Sequence, residues 1–287
     1  MLAIAAALLC ACSWGAADFL AGLQSRHIPA SVVLLGSSLT GTVVMGVAIL
    51  AAGRPAPPEA DLLYAAASGI LGLIALGCFY RALAIGTMSI VAPISSIGVA
   101  IPVVVGLAGG DQLTMIAALG FAFTISGVIL ASREAESVVE GGQDVTSRTA
   151  IFLSLIAAVC FGTLYVLIAE ASRNEELWSV AVQKGIALVI IAAVVAMLWT
   201  RGPRPSISAG RWGAALAVGA LDTAAVTSYA YASKHGALSV TSVVAAMFPV
   251  ITLLLAHQVL GERISRPQKA GVGLALIGVA ALAANSG

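Results

Sequence analysis

An internal repeat written almost entirely in apolar residues limits what this chain can fold into. Phe79-Tyr80-Arg81-Ala82-Leu83-Ala84-Ile85-Gly86-Thr87-Met88-Ser89 lies over Tyr229-Ala230-Tyr231-Ala232-Ser233-Lys234-His235-Gly236-Ala237-Leu238-Ser239 at an offset of 150. One residue of slip later, Gly110-Asp111, Gly120 and Gly127 match Gly261-Glu262, Gly271 and Gly278 at an offset of 151. Near the start, Trp14-Gly15 and Arg26 match Phe161-Gly162 and Arg173 at an offset of 147. Anchors in one order with so little drift imply one ancestral unit used twice.

The medium for that unit follows from composition. Hydrophobic residues make up 60% of the 287, charged residues 9%, and the mean hydropathy is +1.04. A soluble domain carries about 25% charged residues, so this chain cannot cover itself in water. Its longest polar stretch runs only from about Ser132 to Arg148. The net charge of +1 and the scattered Lys and Arg exclude a nucleic-acid partner. Cys10, Cys12, Cys78 and Cys160 all sit in apolar stretches with no His placed to complete a metal site, and read as packing residues. Leu9-Cys10-Ala11-Cys12 resembles a cleavage box. However, no basic residues precede it and the apolar run continues past it, so the segment reads as a retained span.

A membrane crossing takes about 20 apolar residues. Cutting the chain at Gly, Pro and charge clusters predicts ten spans: 2–24, 30–52, 61–84, 87–108, 113–132, 149–170, 177–199, 211–233, 236–259 and 267–284. The expected fold is an all-α integral membrane protein of ten transmembrane helices. It divides into a first five-helix repeat (1–132), a polar linker (133–148) and a second five-helix repeat (149–287). Five is odd, so equivalent helices cross in opposite directions and the repeats are inverted. Small-residue ridges are expected to carry helix contacts, at Ala118, Ala122 and Ser126 in the fifth span and at Gly271 and Ala275 in the tenth. Loops on the side of the N-terminus carry three basic residues and loops on the other side nine, with Arg81 and Lys184 inside spans. By the positive-inside rule, that count puts both termini outside.

Ionisable groups inside spans cost about 2.5–3.5 kcal/mol each on insertion scales and call for a reason. Asp18, Arg81, Lys184 and Asp222 are of this kind. At about 1.5 Å of rise per residue, Asp222 lies about 16–18 Å from either end of its span, and Asp18 and Lys184 about 12 Å from theirs. Arg81 is close enough to an end to snorkel. None of the four has a charged twin in the other half: Asp18 aligns with Tyr165, Lys184 with Ser37, Asp222 with Gly72. Two readings stay open for them. One is internal ion pairing, Asp18 with Arg81 and Asp222 with Lys184. The other is binding of substrate or protons. Trp14, Tyr80, Tyr229 and Tyr231 supply aromatic walls near the same level. Ser89, Ser95 and Ser96 with Pro93, and Ser239, Thr241 and Ser242 with Pro249, line the fourth and ninth spans. Aromatic walls with a few polar groups describe a small-molecule pocket. Asp111 and the Glu262-Arg263 pair occupy loop positions and are read as helix starters.

These residues resemble the drug/metabolite transporter superfamily, in particular its EamA-type members. The resemblance covers essentially the whole chain. It rests on Trp14-Gly15, on Tyr80-Arg81-Ala82-Leu83-Ala84-Ile85-Gly86, on Val91-Ala92-Pro93-Ile94-Ser95-Ser96, and most specifically on Leu260-Gly261-Glu262-Arg263 followed by Gly271 and Gly278. It implies a ten-helix fold with a central cavity drawn from the first, third, fourth, sixth, eighth and ninth spans, and export of small metabolites or drugs. It also implies cytoplasmic termini, against the basic-residue count. The first-half turn, Gly109-Gly110-Asp111-Gln112, departs from the pattern by lacking the Glu-Arg pair.

The expected function is therefore secondary active transport, by alternating access, of a small metabolite, amino-acid-like compound or drug. The expected partners are lipid, substrate and coupling protons, with a bacterial inner membrane as the location. No nucleotide-binding loop occurs, and no cofactor, metal or nucleotide is expected. The alternative is a passive facilitator or channel, although isolated asymmetric charges fit charge rings poorly. A membrane enzyme would need converging catalytic groups, which the sequence does not supply.

Overall fold

The computed structural model describes residues 1–25, 27–85, 91, 94–112, 114–131, 148–202, 206–261 and 264–285; for Ser25, Tyr80, Leu83, Ala84 and Asn285 it describes the backbone alone. Every regular element among them is helical. The first half holds α1 (Leu2–Ser25), α2 (Ala30–Ala52), α3 (Glu59–Ile85), a 3₁₀ turn (Ile97–Val99) leading into α4 (Ala100–Ala108), and α5 (Met115–Ala131). The second holds α6 (Arg148–Ala171), α7 (Glu176–Arg201), α8 (Ala209–His235), α9 (Leu238–Ala245), α10 (Phe248–Leu260) and α11 (Arg266–Asn285). The expectations placed on Arg26, Gly86, Ser89, Pro93, residues 133–147 and Glu262-Arg263 fall outside the described residues.

The chain breaks where its backbone chemistry demands. Gly53 ends α2 at φ 58°, its N–H donating to Ile49 O at 3.0 Å, and prolines follow within five residues. Gly261 ends α10 in the same left-handed conformation, φ 69°. Both are positions where an L side chain would be strained. Ser265 and Gln268 open α11 with reciprocal bonds, Ser265 N to Gln268 Oε1 at 2.9 Å and Gln268 N to Ser265 Oγ at 3.4 Å.

Among the described residues, seven helices are long and apolar enough to cross a membrane: α1, α2, α3, α6, α7, the combined α9–α10 segment and α11. The fourth and fifth expected spans carry shorter apolar helices, Ile94–Ala108 and Met115–Ala131. Helix α8 has the length, 27 residues, but not the hydropathy. The deficit comes from Asp222, Thr223, Thr227, Ser228 and Tyr229, and the first of these is the centre of the site described below.

Both the fourth and ninth segments are interrupted part-way. The ninth breaks between α9 and α10 at Ala246-Met247, where Pro249 in the first turn of α10 has no N–H to offer the preceding turn. At the aligned position of the first half lies the 3₁₀ turn at Ile97–Val99, followed by Pro102.

Most helix packing joins the two halves. Helix α1 lies along α8 and α3 along α6; α2 touches both α7 and α8, and α3 touches α7; α5 packs against α11. Exchanging the halves maps this pattern onto itself. Contacts give the directions. Ala3 meets Gly236, Trp14 meets Asp222 and His27 meets Arg211, so α1 and α8 are antiparallel. Gly36, Ser37 and Gly41 meet Ala215, Gly219 and Thr223 in order, so α2 and α8 are parallel. The aligned helices α5 and α11 run antiparallel, with Gly120 near Gly278 and Gly127 near Gly271.

The α5–α11 seam corrects one expectation. Gly271 and Ala275 do form its ridge on α11, but on α5 the contact is made by Gly120, Thr124, Gly127 and Ala131, while Ala122 and Ser126 are exposed. Glycines permit closer approach than the Ala/Ser row. A Cβ on Gly127 would stand 2.7 Å from Gly271 O, and one on Gly271 2.7 Å from Gly127 O.

Candidate functional site

The carboxylate of Asp222, halfway along α8, is held by three donors from three other helices. Lys184 Nζ on α7 reaches Oδ2 at 2.6 Å, Ser37 Oγ on α2 donates to the same oxygen at 3.1 Å, and Trp14 Nε1 on α1 donates to Oδ1 at 3.0 Å. Ser37 and Lys184 occupy aligned positions of the two halves, so equivalent residues converge on one carboxylate at the seam between repeats. The Lys184 stem lies against Gly41, where a Cβ would stand 2.8 Å from its Cδ. Its side chain is 8% exposed whereas that of Asp222 is 28% exposed. The ammonium is buried and the carboxylate stays partly exposed.

Trp14 is also the hub of an aromatic cluster. It stacks on Tyr229 at 6.3 Å and makes edge contacts with Tyr165 at 5.7 Å and Phe248 at 6.3 Å; Tyr165 and Tyr229 meet at 4.8 Å. Tyr229 is fully buried, and its hydroxyl shares a 2.7 Å hydrogen bond with Ser242 and donates to Tyr165 O at 3.2 Å. Phe248 reaches the cluster because Gly15 lets α10 approach α1, with Thr252 Oγ1 donating to Gly15 O at 3.1 Å.

Of the sequence-level candidates, Trp14, Asp18, Lys184, Asp222, Tyr229 and Ser242 gather in this region. Of the two ion pairs considered, Asp222–Lys184 forms. Asp18 has no ion pair or side-chain hydrogen bond among the described residues, and Arg81 is exposed. Tyr231 rests on His235 at 4.3 Å near the end of α8. Ser96 lines a small cleft with Val99, Thr124, Val243 and Ala246, away from Asp222. The side chain of Tyr80 is outside the described residues. Sequence reasoning missed Ser37, Tyr165 and Phe248 as site residues. A signal existed for two of them, since Ser37 and Tyr165 are the aligned partners of Lys184 and Asp18.

The α1 face that carries Trp14 changes in burial along its length. Trp14, Asp18 and Gly22 share one face of α1 at four-residue spacing, half-buried at Trp14 and Asp18 and exposed at Gly22. Towards the N-terminus, Ile4, Ala7, Cys10 and Ala11 are buried. That same end carries a polar clasp between the halves. Asn174 Nδ2 donates to Asp61 Oδ2 at 2.7 Å, Arg54 pairs with Glu175 at 3.4 Å, and Trp178 Nε1 donates to Arg54 O at 3.2 Å. Lys234 braces it through Glu176 at 2.6 Å and Asn174 O at 3.0 Å. Asp111 is a helix starter, as expected, but for the other half: its Oδ2 accepts Ser239 N at 2.9 Å in the first turn of α9.

The EamA-like transporter family model matches residues 1–133 and 148–284. The chain belongs to the EamA-like transporter family. It is thus an integral membrane protein of the drug/metabolite transporter type, a class that carries small molecules and works within lipid. No curated protein matches the sequence. Among 29 chains of solved structures that do match, one crystal structure superposes with a TM-score of 0.79 over 99% of this chain and 97% of its own, at 17% identity. At that identity the likeness shows the fold alone. The EamA match and the Asp222 centre fall together, since the site is built from helices of both matched segments.

Proposed function

We propose that this EamA-like protein is a secondary transporter of ten membrane-crossing segments in two inverted five-helix repeats, and that it exports a small amphipathic metabolite or drug from a bacterial cell by alternating access. The antiparallel run of α5 and α11, and a packing pattern unchanged by exchange of halves, support the inversion. The substrate site is the space beside Trp14, Asp18, Lys184, Asp222, Tyr229 and Ser242. Tyr80, Tyr231, Ser96 and Arg81 stay as candidates for its approaches.

One observation carries the reading: a carboxylate deep in α8, gripped by donors from α1, α2 and α7, remains partly exposed. Relative movement of the halves stretches the bonds from Trp14 and Ser37, which cross between them, so occupancy of the site and the angle between halves are coupled at Asp222. Exchange of a proton or a substrate amine at this centre then drives the cycle. A passive channel would need both ends open, whereas the buried collar of α1 and the clasp close one.

The test is Asp222→Asn in reconstituted vesicles. Gradient-driven flux of a transported substrate is expected to fall at least about tenfold, the worth of one charge-assisted hydrogen bond or more, while the protein inserts and elutes as the wild type. Undiminished flux would reduce Asp222 to a packing residue.

A further inference from the structure

We propose that the site takes an organic cation, a protonated amine on an aromatic or apolar body, with Asp18 as its counter-charge; this rests on the transporter reading above. The argument begins from charge balance. Asp222 is matched by Lys184 at 2.6 Å and by two further donors. Asp18 is matched by nothing among the described residues, yet lies within electrostatic reach of Asp222 and Tyr165. With Asp18 ionised, the three groups carry one uncompensated negative charge. An isolated carboxylate well inside a span is costly, and a ligand cation removes that cost on arrival.

Placement favours the same class. Asp18 stands one helical turn from Trp14, about 5–6 Å between Cβ atoms. The bond from Trp14 Nε1 to Asp222 fixes the indole in place, with Tyr165, Tyr229 and Phe248 packed around it. A ring seated on these aromatics puts an ammonium two carbons away beside Asp18, and aromatic faces themselves attract cations. Asp18 also lies between half-buried Trp14 and exposed Gly22 on one face of α1.

Other charge types fit worse. An anion would meet Asp18 with no free cation beside it among the described residues, because the Lys184 ammonium is bound and 8% exposed. A zwitterionic amino acid leaves its carboxylate unmatched for the same reason. The amine is therefore selected over the amino acid of the same skeleton.

The experiment uses the full-length protein in lipid nanodiscs, with binding heats measured for phenethylamine, phenethyl alcohol, hydrocinnamate and phenylalanine, which share a ring and differ in charge. Phenethylamine is expected to bind at least about tenfold more tightly than the other three, as for a hydrogen bond to a charged group. Asp18→Asn and Asp18→Ala abolish that preference, so that amine and alcohol bind alike; Asp18→Glu keeps it. Either folded neutral variant suffices, with folding followed by size exclusion and helical circular dichroism. Equal binding of amine and alcohol by the wild type, no binding of the amine, or an undiminished preference without the Asp18 charge each overturns the proposal. Trp14→Ala separates this failure from failure of the site itself. Loss of alcohol binding there, with no amine preference in the wild type, sinks only the cation. Ligand binding that survives Trp14→Ala sinks the aromatic site.

Discussion

Lys184 and Asp222 show how one pair can be structural and functional together. Taking either charge away strands the other in a low-dielectric seam, which costs about 3–5 kcal/mol for a buried pair. Lys184→Met is therefore expected to lower the melting temperature more than the double variant Lys184→Met with Asp222→Asn, which removes both charges. Melting of purified protein in one detergent decides it; a double variant less stable than the single would show that the pair is no unit. This centre was legible in the sequence because depth can be read by counting residues from the span ends. Facing cannot be read so directly. Asp18 passed the same count while Arg81 lay close enough to an end to snorkel, and in the fold Asp18 is half-buried whereas Arg81 is exposed. Tyr165 and Phe248 escaped notice because an aromatic residue inside an apolar run carries no mark of which neighbours it meets.

At the level of helices, the repeat signal placed the elements well and their contact faces less well. Boundaries followed Gly, Pro and charge clusters because those residues act on the local backbone. The fifth-span ridge went to Ala118, Ala122 and Ser126 because a small-residue pattern fits several faces of one helix. The partner glycines decide among them: Gly120 and Gly127 give closer approach to Gly271 and Gly278. Gly127→Leu is thus expected to destabilise by about 1–3 kcal/mol, the usual cost of overpacking, while Ser126→Leu on the exposed face is nearly neutral. Heating both variants in detergent and following the folded fraction distinguishes them, and equal losses would place the seam elsewhere. The cap from Asp111 to α9 belongs to this scale too. Asp111→Ala should cost about 0.5–2 kcal/mol although the residue lies in the first half.

For the whole molecule, orientation decides which end of the seam faces the cytoplasm. Family resemblance places both termini inside, whereas nine basic residues against three place them outside. The structure makes the choice consequential. The clasp of Asp61, Asn174, Glu175 and Lys234 lies at the end holding the N-terminus, and exposed Gly22, on the α1 face of Asp18, lies toward the other. With termini inside, the proposed exporter would hold its Gly22 end toward the outside, the side on which it releases its load. Replacing Cys10, Cys12, Cys78 and Cys160 gives a background for two single-cysteine variants, Gly22→Cys and Gly287→Cys. Added to intact cells, a membrane-impermeant thiol reagent is expected to label Gly22→Cys and to spare Gly287→Cys until the cells are permeabilised. An excess of a bound amine should slow the labelling at Gly22→Cys, because that position lies on the path to Asp18. The reverse pattern, with Gly287→Cys labelled from outside, would show that the basic residues set the orientation after all and that the Gly22 end faces the cytoplasm for loading.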